Sequence, residues 1–165
     1  MATTEDAELI ADLSRKTFYD SFAAQNTPEN MEKFMRDVFT REGLIKEVGA
    51  KNNIFFLAYN GDEPVGYVRM RENNAPPELQ GKESIEIARI YATTSAIGKG
   101  VGKIKMQKCL HIASQLGKEL IWLGVWEHNQ RAIDFYTRWG FQKFDEHVFQ
   151  LGDDPQIDWL MVKYL

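Results

Sequence analysis

The chain has 165 residues, of which 44% are hydrophobic and 27% are charged, values that are ordinary for one globular domain with a substantial core. Its formal net charge of −4 argues against general nucleic-acid binding, which requires a basic surface. No apolar run approaches the ~20 residues of a membrane span, and the acidic N-terminus is unlike a signal peptide. We therefore expect a single cytoplasmic domain over residues 1–165, without a nucleic-acid or membrane partner.

The cysteine and histidine content narrows the class further. Cys109 is the single cysteine, so no internal disulfide can form, which suits a reducing compartment. Three scattered histidines and one cysteine do not provide the ligand spacing of a metal site. We expect no metal cofactor.

The first third of the chain predicts three helices. Thr3 or Thr4 is a suitable cap for a helix that begins near residue 5, where apolar residues recur at helical spacing. Thr27 followed by Pro28 is typical of a second helix start, and a short third helix is expected over 42–48.

The rest of the chain alternates strands and helices, which indicates a layered α/β or α+β domain. The first two strands are joined by Asn60-Gly61-Asp62-Glu63 as a hairpin. The expected strands are 53–59, 64–70, 84–92, 120–125, 141–150 and 157–164, and the expected helices are 101–116 and 129–139.

A glycine-rich turn between an expected strand and an expected helix is the most informative motif. Gly98, Gly100 and Gly102 alternate there, with Lys99 and Lys103 beside them. A helix start offers unpaired N–H groups and a positive dipole end, and glycine lets a phosphate approach the main chain. The motif therefore predicts a site for a phosphorylated ligand, although a tight turn without a ligand fits the same residues.

Two well-known phosphate loops do not match this turn. A P-loop requires Gly where Ile97 stands and Ser or Thr where Ile104 stands. The dinucleotide pattern Gly-x-Gly-x-x-Gly fails as well, because Lys103 or Lys105 takes the place of its last glycine.

The spacing of the turn resembles the Gln/Arg-x-x-Gly-x-Gly/Ala loop of the GNAT family of acyl-CoA-dependent N-acetyltransferases. The segment 122–141 is similar to that family's late strand and helix. The segments 17–19, 122–129 and 151–155 are most similar to PaiA-like bacterial spermidine/spermine N-acetyltransferases. The late segment matches the family pattern at Asn129, Ala132, Phe135, Tyr136, Gly140 and Phe141.

This resemblance implies a GNAT-like fold: a mixed, mostly antiparallel central sheet with a splayed parallel pair of strands and helices on both faces. Three features depart from the expected pattern. The chain begins almost at a helix cap, so either Met1 follows the true start or the first strand is absent and its neighbour has an exposed edge, which would favour a homodimer. Ile97 replaces the usual Gln or Arg of the loop, and Lys105 falls on an apolar helix face, from which it would have to extend towards solvent or phosphates.

By resemblance, the co-substrate is acetyl-CoA. Its pantetheine arm would pair with the main chain near Ile90 and Ala92, in the gap between strands 85–92 and 120–125, as an added strand does. Asn129 would reach a pantetheine amide, although it fits equally well as a helix N-cap. The diphosphate would lie on the main-chain amides of the loop, which comprises Ile97, Gly98, Lys99, Gly100, Val101, Gly102 and Lys103.

The resemblance also implies two catalytic residues. Tyr136 would donate a proton to the departing thiolate, since a phenol with a pKa near 10 can protonate sulfur. Taken alone, a Tyr in this apolar stripe is more often a core residue. Glu86, on the strand beside the thioester, would accept a proton from the amine directly or through water, or else be a surface carboxylate.

The acceptor is expected to be a primary amine, and by resemblance a polyamine such as spermidine or spermine. Aromatic rings and carboxylates suit such a cation, and four residues are expected to bind it: Tyr19, Phe22, Trp126 and Glu127. Asp20, Asp153 and Asp154 are further candidates, and each of the seven is a weak signal individually. Two alternatives stay open, namely acetylation of a protein lysine or N-terminus, and a non-catalytic acyl-CoA-binding regulator.

Overall fold

Three helices form the N-terminal part of the computed structural model, which describes all 165 residues. They are α1 (Ala7–Phe22), α2 (Pro28–Asp37) and α3 (Arg41–Glu47). The hydroxyl of Thr27 accepts the N–H of Asn30 at the start of α2, as predicted from the Thr-Pro pair. The predicted cap at Thr3 belongs to a 3₁₀ turn that leads directly into α1.

The remaining residues form a six-stranded sheet and two further helices. The sheet order is β1-β2-β3-β4-β6-β5, and every neighbouring pair is antiparallel except β3 and β4. This arrangement confirms the predicted mixed sheet with one parallel pair. The elements are β1 (Asn53–Asn60), β2 (Glu63–Glu72), β3 (Ser84–Ala92), α4 (Val101–Gln115), β4 (Leu120–Trp126), α5 (Gln130–Arg138), β5 (Gln142–Leu151) and β6 (Asp154–Tyr164).

The parallel strands β3 and β4 separate halfway along their length. They pair from Ser84 opposite Leu120 to Ile87 opposite Leu123, and beyond this point each strand continues without the other. The register of β3 against β2 shifts at the same level, around Ala88, as a β-bulge does. Because β3 and β4 do not pair beyond Ile87 and Leu123, the edges of the two strands that face the gap are left open to a ligand.

The two faces of the sheet carry different layers. Strand residues alternate in side, so Val68 packs towards α4 and α5, whereas Tyr67 packs towards α1. The largest apolar cluster lies on the α4/α5 face and includes Met106 and Tyr136. Burial of each large apolar side chain contributes roughly 2 kcal/mol, so this layer holds the helix that follows the glycine-rich turn firmly against the sheet.

The outer edge of β1 has no strand beside it. The N–H of Ala2 donates to the carbonyl of Phe55 over 2.9 Å, and the chain then enters the turn before α1. Within residues 1–165, a 3₁₀ turn over Thr4–Asp6 precedes α1. None of the helices has the length and apolar character needed to cross a lipid bilayer.

Candidate active site

A cavity of about 1290 Å³ lies where β3 and β4 separate. It extends from the glycine-rich turn, past α5, to the end of α1 and the β5–β6 pair. It brings together most of the residues that the sequence predicted, including both proposed catalytic side chains. The predicted residues that line it are Phe22, Glu86, Ile90, Ala92, Ile97, Gly98, Gly100, Gly102, Lys103, Trp126, Asn129 and Tyr136.

The glycine-rich turn uses left-handed backbone conformations at two positions. Gly98 has φ +81° and Gly100 has φ +83°, and a Cβ built at either position would meet no atom within 4 Å. Conformation rather than crowding within the protein therefore favours glycine here. Gly100 is the N-cap of α4, and its carbonyl accepts the N–H of Ile104.

Five amides of this turn have no main-chain acceptor. They lie at the positive end of α4, where N–H groups and the helix dipole favour an anion. The side chain of Lys103 adds a cation at the wall of the cavity. The five are the amides of Gly98, Gly100, Val101, Gly102 and Lys103.

Fewer main-chain amides are free to bind a diphosphate than the sequence suggested. The N–H of Ile97 donates to the carbonyl of Thr94 over 3.4 Å, and that of Lys99 donates to Ala96 over 3.3 Å. Both amides are engaged because a 3₁₀ turn over Thr94–Ala96 precedes the glycines. The main-chain amides of Ile97 and Lys99 therefore stabilise the turn rather than bind a ligand. Lys99 and Val101 are not among the residues that line the cavity.

Lys105 does not extend to solvent, so that part of the prediction is wrong, although the residue is among those that line the cavity. Its side chain is buried, with 3% of the residue exposed, and Nζ donates to the carbonyl of Tyr91 over 2.5 Å. Burial lowers the pKa of Lys105 to about 8, partly offset by nearby Cys109. Gly66 makes room for this contact, because a Cβ there would lie 2.8 Å from the Tyr91 carbonyl and 3.3 Å from Nζ.

Asn129 caps α5, as the alternative interpretation of this residue predicted. Its Oδ1 accepts the N–H of Ala132 over 3.2 Å. The cap uses only the oxygen of the side-chain amide, so Nδ2 is left for a ligand in the cavity that Asn129 lines.

Tyr136 is both a core residue and a wall of the cavity. Its ring packs against Phe135 and Phe141, with centroids 5.6 and 5.9 Å away, and 8% of the residue is exposed. Burial, with a smaller effect of Cys109, raises the pKa of the Tyr136 phenol. The phenol is therefore protonated at neutral pH, as a proton donor must be.

Cys109 lies behind Tyr136 in the same apolar cluster. The residue is fully buried, and burial raises the pKa of its thiol to about 12. A thiol in this state does not provide the thiolate that a covalent acyl-enzyme would require.

Glu86 is buried and bonded rather than solvent-facing, so the surface-carboxylate alternative is wrong. Its Oε2 accepts Nε and Nη2 of Arg71 at 2.8 and 2.7 Å and Nδ2 of Asn74 at 2.9 Å. These bonds fix the carboxylate against β2. Only Oε1 is left for a proton from a substrate.

Sequence reasoning missed a cluster of arginines on the same face of the sheet. Glu47 of α3 bonds Arg89 at 2.6 and 3.1 Å and lies 3.2 Å from Arg69. Burial and the neighbouring Arg89 lower the pKa of Arg69 to about 10. The alternation of Arg69 and Arg71 on one strand is the signal that could have revealed the cluster.

A second missed group is the pair formed by His147 and Asp158. The two residues are opposite each other on β5 and β6, and His147 Nε2 lies 3.8 Å from Asp158 Oδ2. Both line the cavity. Nothing in the sequence alone indicates that these two residues face the gap between β3 and β4.

The four predicted acceptor residues divide into two groups. The ring of Phe22 stands edge-on to Tyr91 and Trp126, with centroids 6.2 and 6.3 Å away, and both Phe22 and Trp126 line the cavity. Tyr19 is 51% exposed and lies outside the cavity lining, as does Glu127, which is 3.5 Å from His128.

Of the further acidic candidates, Asp20 lines the cavity, whereas Asp153 pairs with Lys33 on the surface. Asp154 lies at the β5–β6 turn and accepts a bond from Gln156 at 3.1 Å. No three His, Cys, Asp or Glu side chains are grouped so as to hold a metal ion.

This constellation of a helix-start anion site, a splayed strand pair and a buried phenol accords with a family match. The model of the acetyltransferase (GNAT) family matches residues 15–141, and the chain belongs to this family. An N-acetyltransferase in the pepI 3′ region of Lactobacillus delbrueckii subsp. lactis is 37% identical over 158 residues, which cover 96% of this chain and 91% of that protein. The chain is an acyltransferase enzyme whose co-substrate is acetyl-CoA.

Two further matches, both from Thermoplasma acidophilum, are more distant. The spermidine N(1)-acetyltransferase of this organism is 21% identical over 165 residues, covering 96% of this chain and 91% of that protein. The crystal structure of its PaiA N-acetyltransferase in complex with coenzyme A superposes with a TM-score of 0.78 at 20% identity, covering 99% and 96% of the two chains. The second likeness is one of fold.

Proposed function

We propose that the protein acetylates a primary amine by direct transfer within a ternary complex, and that the physiological acceptor is a polyamine such as spermidine or spermine. One observation carries the proposal. Of the five main-chain amides without acceptors at the start of α4, four belong to residues that line the same cavity as Tyr136, namely Gly98, Gly100, Gly102 and Lys103. Acetyl-CoA supplies an activated acyl group as a thioester when it occupies this gap.

The residues present suit acetyl-CoA along its whole length. The free amides and Lys103 complement a diphosphate. Beyond Ile87, β3 stays paired with β2 but has no partner on the side of β4, so this edge, near Ile90 and Ala92, can offer strand-like hydrogen bonds to a pantetheine arm. Nδ2 of Asn129 offers another. The cavity therefore suits an extended ligand that carries both phosphate and amide groups.

Tyr136 serves as the general acid. A protonated phenol at the wall of the gap can donate its proton as the thiol leaves, and the adjacent apolar cluster excludes water from this transfer. We expect a main-chain N–H near Ile90 to stabilise negative charge on the acyl oxygen. The buried thiol of Cys109 supports direct attack by the amine rather than an acyl-enzyme.

Polyamine as the acceptor is supported by the aromatic wall and by the named relative. Phe22, Trp126 and Phe149 line the acceptor side, where aromatic faces attract cations and cover methylene groups. Asp20 and Asp158 add carboxylates. The three arginines on this face do not give it a strong positive charge, because Glu47 and Glu86 pair with them.

Acetylation of a protein lysine or N-terminus is the second candidate. The cavity volume of about 1290 Å³, which extends to the end of α1, leaves space for a peptide end as well as for a small amine. A non-catalytic regulator would require neither the Tyr136 phenol at the gap nor the Glu86 carboxylate on the strand beside it.

The test is a thiol-release assay with purified protein, acetyl-CoA and a panel of acceptors. The panel includes spermidine, spermine, a lysine-containing peptide and a peptide with a free N-terminus. We expect turnover with the polyamines. Turnover with a peptide alone would support the second candidate, and CoA binding without any turnover would support the regulator.

A further inference from the structure

Asp158 and His147 form an ionisable pair at different depths of the cavity. They are directly opposite in the antiparallel register of β5 and β6. At 3.8 Å, the contact between Nε2 and Oδ2 is an ion-pair distance and too long for a hydrogen bond. The side chain of Asp158 is 17% exposed and that of His147 is 51% exposed, so the carboxylate is the inner group and the imidazole the outer one.

Gly124 lies close to this pair and to the gap between the parallel strands. A Cβ at Gly124 would lie 3.8 Å from Asp158 Oδ2 and 3.9 Å from His147 Nε2. Gly124 follows Leu123, the last residue of β4 that pairs with β3. The pair therefore lies beside the point where the strands separate.

Asp158 and Tyr136, the proposed general acid, both lie near Tyr91. Burial raises the pKa of the Tyr91 phenol; nearby Tyr67, Tyr136 and Asp158 raise it further, and Arg89 lowers it. Asp158 and Tyr136 are thus both within electrostatic range of one side chain on β3. The titratable groups that face Asp158 are His147 from β5 and Tyr91 from β3.

Asp158 differs from Glu86 in what already binds it. Three donor contacts converge on one oxygen of Glu86, whereas no protein donor lies within hydrogen-bond distance of Asp158. Burial raises the pKa of Asp158, and His147 lowers it in part. A carboxylate that is partly desolvated and unbonded is the better proton acceptor of the two.

We infer that Asp158 is the general base that deprotonates the acceptor ammonium and that His147 relays the proton to solvent; this inference rests on the proposed function. An N–H bond of the ammonium breaks, its electron pair stays on nitrogen, and the proton moves to Asp158, then to neutral His147 and to water. The amine nitrogen forms the amide bond as sulfur leaves with the Tyr136 proton. Tyr136 recovers a proton from that nitrogen, so one proton is released per amide formed.

The test compares Asp158→Asn and His147→Gln with the control Glu146→Gln. Glu146 is adjacent on β5 and forms an exposed ion pair with Lys143. With spermidine and acetyl-CoA at pH 7, we expect Asp158→Asn to lower kcat/KM by about 100-fold and His147→Gln by less, with the control unchanged. The deficit should shrink towards pH 9.5, because more of the amine is then neutral without help.

A loss of equal size at every pH would indicate a structural role and overturn the inference, as would wild-type kcat/KM in Asp158→Asn. Wild-type protein without turnover on any amine would overturn the proposed function itself, and the inference with it. Failure of the proposed function can be told apart from failure of the inference, because it is seen in the wild-type protein before any substitution is made.

A readout independent of turnover is the ¹³C NMR titration of the Asp158 carboxyl in the protein without ligands. We expect it to titrate above the ordinary value of 3.8, and higher still in His147→Gln, because the imidazolium favours the carboxylate. Titration at or below 3.8 would contradict the inference even if a variant fails to fold. Circular dichroism melting identifies such a variant.

Discussion

Nζ of Lys105 donates a hydrogen bond to the main-chain carbonyl of Tyr91, which ties the first turn of α4 to the end of β3 within the protein interior. The bond crosses between the two elements that flank the glycine-rich turn. It therefore helps to fix the turn in the conformation that exposes the five free amides.

This buried lysine predicts a specific dependence of stability on pH. The pKa of Lys105 falls from 10.5 to about 8 on folding, so between these values the unfolded chain binds a proton that the folded chain has lost. The free energy of unfolding therefore gains a contribution that rises with pH across this window, by about 3 kcal/mol in all. Cys109 and the buried tyrosines, whose pKa values are raised, oppose this rise.

Comparison with Lys105→Met isolates the contribution of Lys105. Urea unfolding at pH 7, 8, 9 and 10 should show the wild type gaining stability relative to Lys105→Met as pH rises above 8. Lys108→Met, at an exposed position of the same helix, should track the wild type at every pH. A constant difference between the wild type and Lys105→Met would show that the folded protein keeps the lysine charged.

Replacing Tyr136 with Phe tests the general acid. The substitution keeps the ring that packs against Phe135 and Phe141 and removes only the hydroxyl. We expect kcat to fall by about 100-fold with little change in the KM for acetyl-CoA, because proton donation acts on the transition state rather than on binding. Wild-type kcat across the pH range, measured by thiol release, would rule out Tyr136.

Gly100 and Gly117 offer a matched pair for testing the anion site. Both have positive φ, +83° and +68°, and they flank the two ends of α4. Alanine at either position should destabilise the fold by about 1 kcal/mol. Only Gly100→Ala should weaken CoA binding, by about tenfold in calorimetry, because only that end carries the free amides. Equal affinity in the two variants would place the diphosphate elsewhere.

Phe22 and Tyr19 lie on the same helix, but only Phe22 lines the cavity. We expect Phe22→Ala to raise the KM for spermidine by about tenfold, since a cation over an aromatic ring gains roughly 1 kcal/mol or more and methylene contact adds to this. Tyr19→Ala should leave this KM unchanged. The reverse result would restore Tyr19 as an acceptor residue and move the acceptor path outwards along α1.

Local sequence signals predicted the fold well. The Thr27-Pro28 pair, the hairpin turn and the helix that ends before Gly117 all lie within one or two residues of the predicted positions. These features depend on caps, turns and hydrophobic periodicity, which act over a few residues. The splayed pair of strands was predicted by family resemblance, since no local pattern encodes where two parallel strands part.

The acceptor side was predicted less well, because it depends on contacts between distant segments. Glu86 and Arg71 are 15 residues apart, and Glu47 and Arg89 are 42 apart. His147 and Asp158 meet only through the register of β5 and β6. Lys105 was misplaced because its partner is a main-chain carbonyl, which no side-chain pattern reveals.

A crystal structure of the protein with CoA tests most directly whether the start of α4 and the gap between the strands form one acyl-transfer site. We expect the diphosphate on the amides of Gly98 and of residues 100–103, and the sulfur within hydrogen-bonding reach of the Tyr136 hydroxyl. CoA bound with its diphosphate away from this turn, or with Tyr136 sealed from its sulfur by other side chains, would contradict that site.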